Sequence, residues 1–193
     1  MKAFLLSLLV VAMCTLPGIS STASADGTIV IKTGSFAFSD DTQNLSGGVN
    51  LTFDEDASGV FGVEGEWHVS DKVAIGGEFL SYSNDWDSNV GTSGDVDTIA
   101  LMFNARRYFG IGKLLRFHIG SGIGLASTDF EGPGGSVSDD SIALQAMGGL
   151  SVQRGQLGFF SELKLFVSEP EDDLGDEIEV SGTGLFAGIT FAF

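Results

Sequence analysis

The chain has 193 residues, with 28 Gly, 3 Pro and a formal net charge of −17. A surface for nucleic acid needs clustered Lys and Arg, so this balance excludes one, and the length fits a single domain. Cys14 is the only cysteine, which excludes a disulfide framework.

The chain opens as an export signal. Lys2 is a minimal positive start, Phe4 to Leu16 is apolar, and Ala23-Ser24-Ala25 is a small-x-small cleavage site before Asp26. The apolar run is too short for a transmembrane helix. Residues 1–25 therefore read as a cleaved secretory signal peptide and 26–193 as the mature domain. Cys14 lies inside the signal, and Met13 before it is a poor residue for a lipidation site. The mature chain is thus left without a thiol nucleophile.

Beyond the signal, no segment is apolar for the length of a membrane helix, yet the mean hydropathy is +0.25. Alternating segments follow instead, near 28–38, 60–70, 73–83, 96–108, 115–126, 141–153, 157–168 and 179–193. Each has roughly the nine to eleven residues that a tilted strand needs to cross a bilayer. Ser70-Asp71-Lys72, Gly110 to Lys113 and Arg154-Gly155-Gln156 are short linkers, whereas 39–59, 84–95, 127–140 and 169–178 are long. Short turns at one end and long loops at the other predict an eight-stranded antiparallel transmembrane β-barrel of up-and-down topology. An even strand number puts both termini on the periplasmic side.

Parity assigns the faces. One carries Phe61, Val63, Trp67, Val73, Ile75, Phe79, Ile99, Leu101, Phe103, Phe117, Ile119, Ile123, Ile142, Leu144, Leu150, Phe159, Leu163 and Leu165. The other carries Lys32, Glu64, Glu66, His68, Glu78, Asn104, Arg106, Arg116, His118, Gln145, Glu162 and Lys164. A soluble sandwich would turn the first face inward; a membrane barrel turns it to lipid and encloses the second. Four basic residues (Lys32, Arg106, Arg116, Lys164) then face four acidic ones (Glu64, Glu66, Glu78, Glu162), and buried charges persist only when paired. The first strand fits least well, because Phe36 and Phe38 share the parity of Lys32.

Charge is also segregated along the barrel. Twenty of the 26 acidic residues fall in or beside the four long loops, which hold no Lys or Arg. Lys72, Arg107, Lys113 and Arg154 lie towards the opposite end. Trp67, Trp86 and Tyr108 stand at strand ends or in a loop, where an aromatic belt is expected.

In the last strand Leu185, Ala187, Ile189, Phe191 and Phe193 share one parity and Gly182, Gly184, Gly188, Thr190 and Ala192 the other. This ending, with Phe191 and Phe193, resembles the C-terminal signal by which bacterial outer-membrane barrels are recognised for assembly. Arg116-Phe-His-Ile-Gly-Ser-Gly-Ile-Gly-Leu-Ala126 resembles the Gly-rich strand of the small OmpX/OmpW/Opa-like outer-membrane barrel proteins. Phe61 to Tyr82, with its Ser70-Asp71-Lys72 turn, is similar to their second hairpin. The resemblance implies insertion in a Gram-negative outer membrane, with lipid, lipopolysaccharide and the barrel-assembly machinery as partners. It leaves function open, since adhesins, small-solute channels, structural proteins and lipid A enzymes share this architecture.

Candidate chemistry is sparse. His118 and Ser121 differ by three positions, so a strand sends them to opposite faces, and the His-x-Ser spacing of lipid A deacylases is absent. His68 shares its face with Ser70 alone, and Ser70 belongs to a turn. No catalytic trio or cofactor is expected. Eight strands enclose just enough space for side chains to fill, so the charges predict a plug of ion pairs. The loop acids, densest from Glu169 to Glu179, lack the Asp-x-Asp-x-Asp-Gly spacing of a calcium loop but suit loosely held divalent cations. The functional expectation is a non-catalytic envelope-structural or surface-interaction protein. A narrow channel is the alternative, and a lipid A-modifying enzyme comes third.

Overall fold

The computed structural model describes residues 27–38, 42–44, 50–53, 58–111, 114–133, 135–168 and 181–193. The signal segment 1–25, Asp26, Lys113 and the acidic stretch 169–178 lie outside the described residues. The strands are β1 (Gly27–Phe38), β2 (Thr42–Asn44), β3 (Asn50–Phe53), β4 (Ser58–Ser70), β5 (Val73–Ser88) and β6 (Ser93–Ile111). After them come β7 (Leu115–Gly132), β8 (Gly135–Arg154), β9 (Leu157–Ser168) and β10 (Gly182–Ala192). Eight of them, β1-β4-β5-β6-β7-β8-β9-β10, pair antiparallel in that circular order. The ring closes where β1 meets β10, from Thr28↔Ala192 to Phe38↔Gly182, and Gly27 and Phe193 exchange backbone hydrogen bonds of 3.0 and 2.9 Å. Closure leaves the barrel no unpaired edge at membrane depth, the condition for a sheet in lipid.

The faces divide as the alternation predicts. Phe61, Trp67, Ile99, Leu101, Phe103, Ile123, Ile142, Phe159, Leu163 and Leu165 are exposed on the outside, while Lys32, Glu64, Glu78 and Glu162 are buried inside. Along β6 the apolar wall runs from Ile99 to Phe109. About ten steps of about 3.3 Å, tilted by about 40°, give a band about 25 Å tall, the height of a transmembrane barrel's apolar belt. Short links join β4 to β5 and β8 to β9 at the end that holds Gly27 and Phe193. One is the two-residue link Gly155-Gln156, where Gly155 takes φ +65°, a conformation a side chain would strain.

The opposite end differs from the sequence reading. Residues 84–95 and 127–140 are not long loops: β5 and β6 continue to a turn at 89–92, and β7 and β8 stay paired as far as Gly132↔Gly135. The alternation simply goes on, with Ser, Asp and Glu replacing apolar residues on the outer face once the strands leave lipid. Asp85, Asp87, Asp95, Asp97, Asp129, Glu131 and Asp140 are all exposed there. Within 39–59, β2 and β3 form a small antiparallel pair that adds to the top of β5 at Leu51↔Ser88 and Phe53↔Trp86.

Candidate functional site

The lumen is built in two layers. In the half towards the short turns, β1, β4, β5, β6, β8 and β9 contribute inward polar side chains at alternate positions, and these meet across the axis. Lys32 on β1 bonds Glu64 on β4 at 2.8 Å, pairs with Glu78 on β5 and lies 3.5 Å from Glu162 on β9. Arg106 on β6 spans the barrel: Nη1 donates to Glu64 and Glu66, and Nη2 to Glu64 at 2.8 Å and Glu162 at 2.9 Å. Lys164 on β9 donates to both oxygens of Glu78 at 2.5 Å and to Gln145 at 3.2 Å. Asn104 bridges Glu64 and Glu78 at 3.0 and 2.8 Å, and Gln145 donates to Glu78 at 2.8 Å. Such density requires small residues beside it: a Cβ on Gly122 would strike the Asn104 side chain and come within 3.1 Å of Gln145 Cγ.

The histidines sit lower, near the mouth. His118 Nε2 lies 2.9 Å from Glu162 Oε2. Tyr108 donates to both oxygens of Glu66 at 3.0 and 2.9 Å, and its ring lies between those of His68 and His118, 5.4 and 5.5 Å away. Arg106 Nε and His118 Nδ1 have no protein hydrogen-bond partner, and both residues line a cavity of about 30 Å³, room for one or two waters. His118 and Ser121 do fall on opposite parities, His118 in the lumen and Ser121 in the row Ala105↔Ser121↔Ala146, where Ser121 is itself buried.

Three expectations need correcting. Arg116 is not a member of the buried network: it is exposed at the mouth of the cavity and, among the described residues, has no carboxylate partner. Its position, one step from the end of β7, lets the guanidinium reach water. The buried charges are therefore three cations (Lys32, Arg106, Lys164) against four carboxylates (Glu64, Glu66, Glu78, Glu162), with His118 bonded to the last of these. Secondly, the aromatic belt keeps only Trp67, which is 57% exposed. Tyr108 is a lumen residue, and Trp86 packs inward against the core beside Phe130, its Nε1 donating to the Asp95 carbonyl at 3.3 Å.

Thirdly, the interior is not polar throughout. Above the ion pairs lies an apolar layer of Phe36, Val60, Leu80, Tyr82, Ala100, Met102, Ala126, Ala143, Phe166 and Phe186. Phe36 stacks on Tyr82 at 4.8 Å, and Phe53 from β3 covers the top by stacking on Phe38 at 4.9 Å. The mismatch of Phe36 and Phe38 with Lys32 is thus resolved, since one face of β1 supplies a charge low in the barrel and aromatics high in it. Phe160, Phe166 and Phe186 share the parity of Glu162, Lys164 and Gly184, a signal present in the sequence but masked by the outward Phe and Leu around them.

No protein-family model matches the chain, and no curated protein does. Solved structures do. Neisserial surface protein A is 12% identical with a TM-score of 0.64, over 90% of this chain and 100% of that one. The outer-membrane protein OprG from Pseudomonas aeruginosa is 13% identical with a TM-score of 0.69, over 90% and 98%. Ail, the attachment invasion locus protein of Yersinia pestis, is 15% identical with a TM-score of 0.55, over 88% and 99%. An apolar outer wall about as tall as a bilayer core, a closed ring and an enclosed ionic lumen make this a membrane-spanning barrel, and the chain has the eight-stranded fold of these outer-membrane proteins.

Proposed function

We propose that the chain is a non-catalytic surface-interaction protein of the outer membrane, and that its working part is the sheet standing above the belt. One observation carries this reading. Residues 135–142 of β8 pair with β7 above the last described residue of β9, and β5, β6 and β7 continue beside them, so an acidic sheet stands clear of the belt. The outer face sets the sign of the partner. Asp85↔Asp95, Asp95↔Glu131 and Asp97↔Asp129 are direct cross-strand pairs of like charge, each destabilising, so a basic partner relieves repulsion as it binds. Divalent cations belong to this reading as counter-ions of the ladder. Ail, which shares the fold, is by name an attachment protein.

The test uses the protein in nanodiscs and two labelled extended peptides, one alternating Lys with Thr and one alternating Glu with Thr. Binding of the Lys peptide should weaken with salt and with Asp95→Asn/Asp97→Asn. Equal binding of the Glu peptide would sink the idea. The cavity near the short turns is the one feature favouring a narrow channel, and the apolar layer stands against it. Planar bilayers should therefore record no conductance; reproducible steps would transfer the proposal to the channel. Phe191 and Phe193, exposed at the end of the closing strand, remain the proposed handle for the assembly machinery.

A further inference from the structure

The basic residues outside the lumen gather at the short-turn end. Lys72 lies in the β4–β5 turn, and Arg107, opposite in parity to the buried Arg106, is on the outer wall of β6. Among the described residues neither has a carboxylate in ion-pair reach. The two are held side by side, because Val73 pairs with Arg107 and the Lys72 carbonyl accepts a 2.8 Å hydrogen bond from Tyr108 N. The Arg107 guanidinium carbon lies 5.4 Å from the Phe109 ring centroid, and Phe109 is paired with Phe117, ring to ring at 5.9 Å. On the neighbouring wall Trp67 faces outward.

We propose that this patch binds the headgroup of an anionic phospholipid in the periplasmic leaflet. Arg107 starts within the apolar wall, so its stem runs along lipid-facing surface while its charge reaches the interface. Resting on Phe109 orders the guanidinium without using its N–H groups, which remain a planar fork matched to a phosphodiester. Lys72 adds a point charge from the turn. The acyl chains continue upward over Ile75, Ala105 and Phe103, which belong to the same wall. A zwitterionic lipid offers the same phosphate but carries an ammonium of its own, so the patch selects for net negative charge. The other rim is acidic and repels such a lipid, so the preference belongs to one leaflet.

The experiment is native mass spectrometry of the detergent-solubilised protein with equimolar phosphatidylglycerol and phosphatidylcholine. Each cation near a membrane surface contributes about 1 kcal/mol, so each should supply about fivefold preference for phosphatidylglycerol. Lys72→Gln/Arg107→Gln should abolish the preference and Arg116→Gln should leave it intact. Arg107→Lys, which keeps the charge and loses the fork, should retain part of it. A heat-shifted gel band checks that each variant is folded. Undiminished preference in the double variant would overturn the proposal. So would displacement of the lipid by an equal concentration of glycerol phosphate, because the site would then be one for free phosphate.

Discussion

Arg106 is the residue on which the ion-pair plug depends most, and Arg106→Gln tests that directly. Its guanidinium serves Glu64, Glu66 and Glu162 with a side chain only 4% exposed. After its loss Glu64 keeps Lys32 and Asn104, and Glu162 keeps His118 and the two lysines at 3.5 Å. Glu66 keeps only the Tyr108 hydroxyl. The change thus strands one carboxylate almost completely and leaves the buried set two negative charges in excess instead of one. Removing one partner of a buried pair costs about 3–5 kcal/mol, and the upper half of that range is expected here. Glu66→Gln alone should cost less, because an amide can still accept from Tyr108. The double variant should recover about 1–3 kcal/mol of coupling, as residues sharing one network do. Urea unfolding of the refolded protein in lipid vesicles, followed by tryptophan fluorescence, reads all four corners of the cycle. A cost below about 1 kcal/mol for Arg106→Gln, with no coupling to Glu66, would refute a tightly paired lumen.

Three other substitutions probe the remaining parts of the barrel by the same unfolding measurement. Gly122→Ala should destabilise by about 1–3 kcal/mol, because the added methyl meets Asn104 and Gln145; an unchanged midpoint would mean the network is loose. Phe166→Ala should cost about 3–5 kcal/mol by opening a void beneath Phe36 and Tyr82, and a cost near zero would mean the apolar layer is not packed. Phe103→Arg, at the middle of the outer wall, should cost about 2–4 kcal/mol. Asp97→Lys, six residues higher, should instead stabilise slightly by relieving Asp97↔Asp129. Equal penalties at 97 and 103 would displace the belt from where the outer face puts it.

Much of this protein was legible from the sequence, because a strand has a side-chain period of two and a membrane barrel has two faces of opposite chemistry. Leu101 and Phe103 against Asn104 and Arg106 is enough to assign both faces of β6, and the same rule places Glu64 and Glu162 inside. The acidic end was equally plain from composition. Tertiary structure decided what parity cannot encode, namely height along the axis and distance across it. Parity put Phe36 beside Lys32, but only the shear of the closed ring raises one into an aromatic layer and lowers the other into the ion pairs. Parity also grouped Arg116 with Arg106, yet one opens onto the mouth and the other touches three carboxylates from two other strands. Where a strand ends was hidden for a related reason. Hydrophobic alternation stops at the lipid surface, whereas backbone pairing goes on above it, as β5 and β6 stay paired up to Asp87↔Ser93. Alternation along each strand says which side chains face which medium; closing the sheet settles which of them meet.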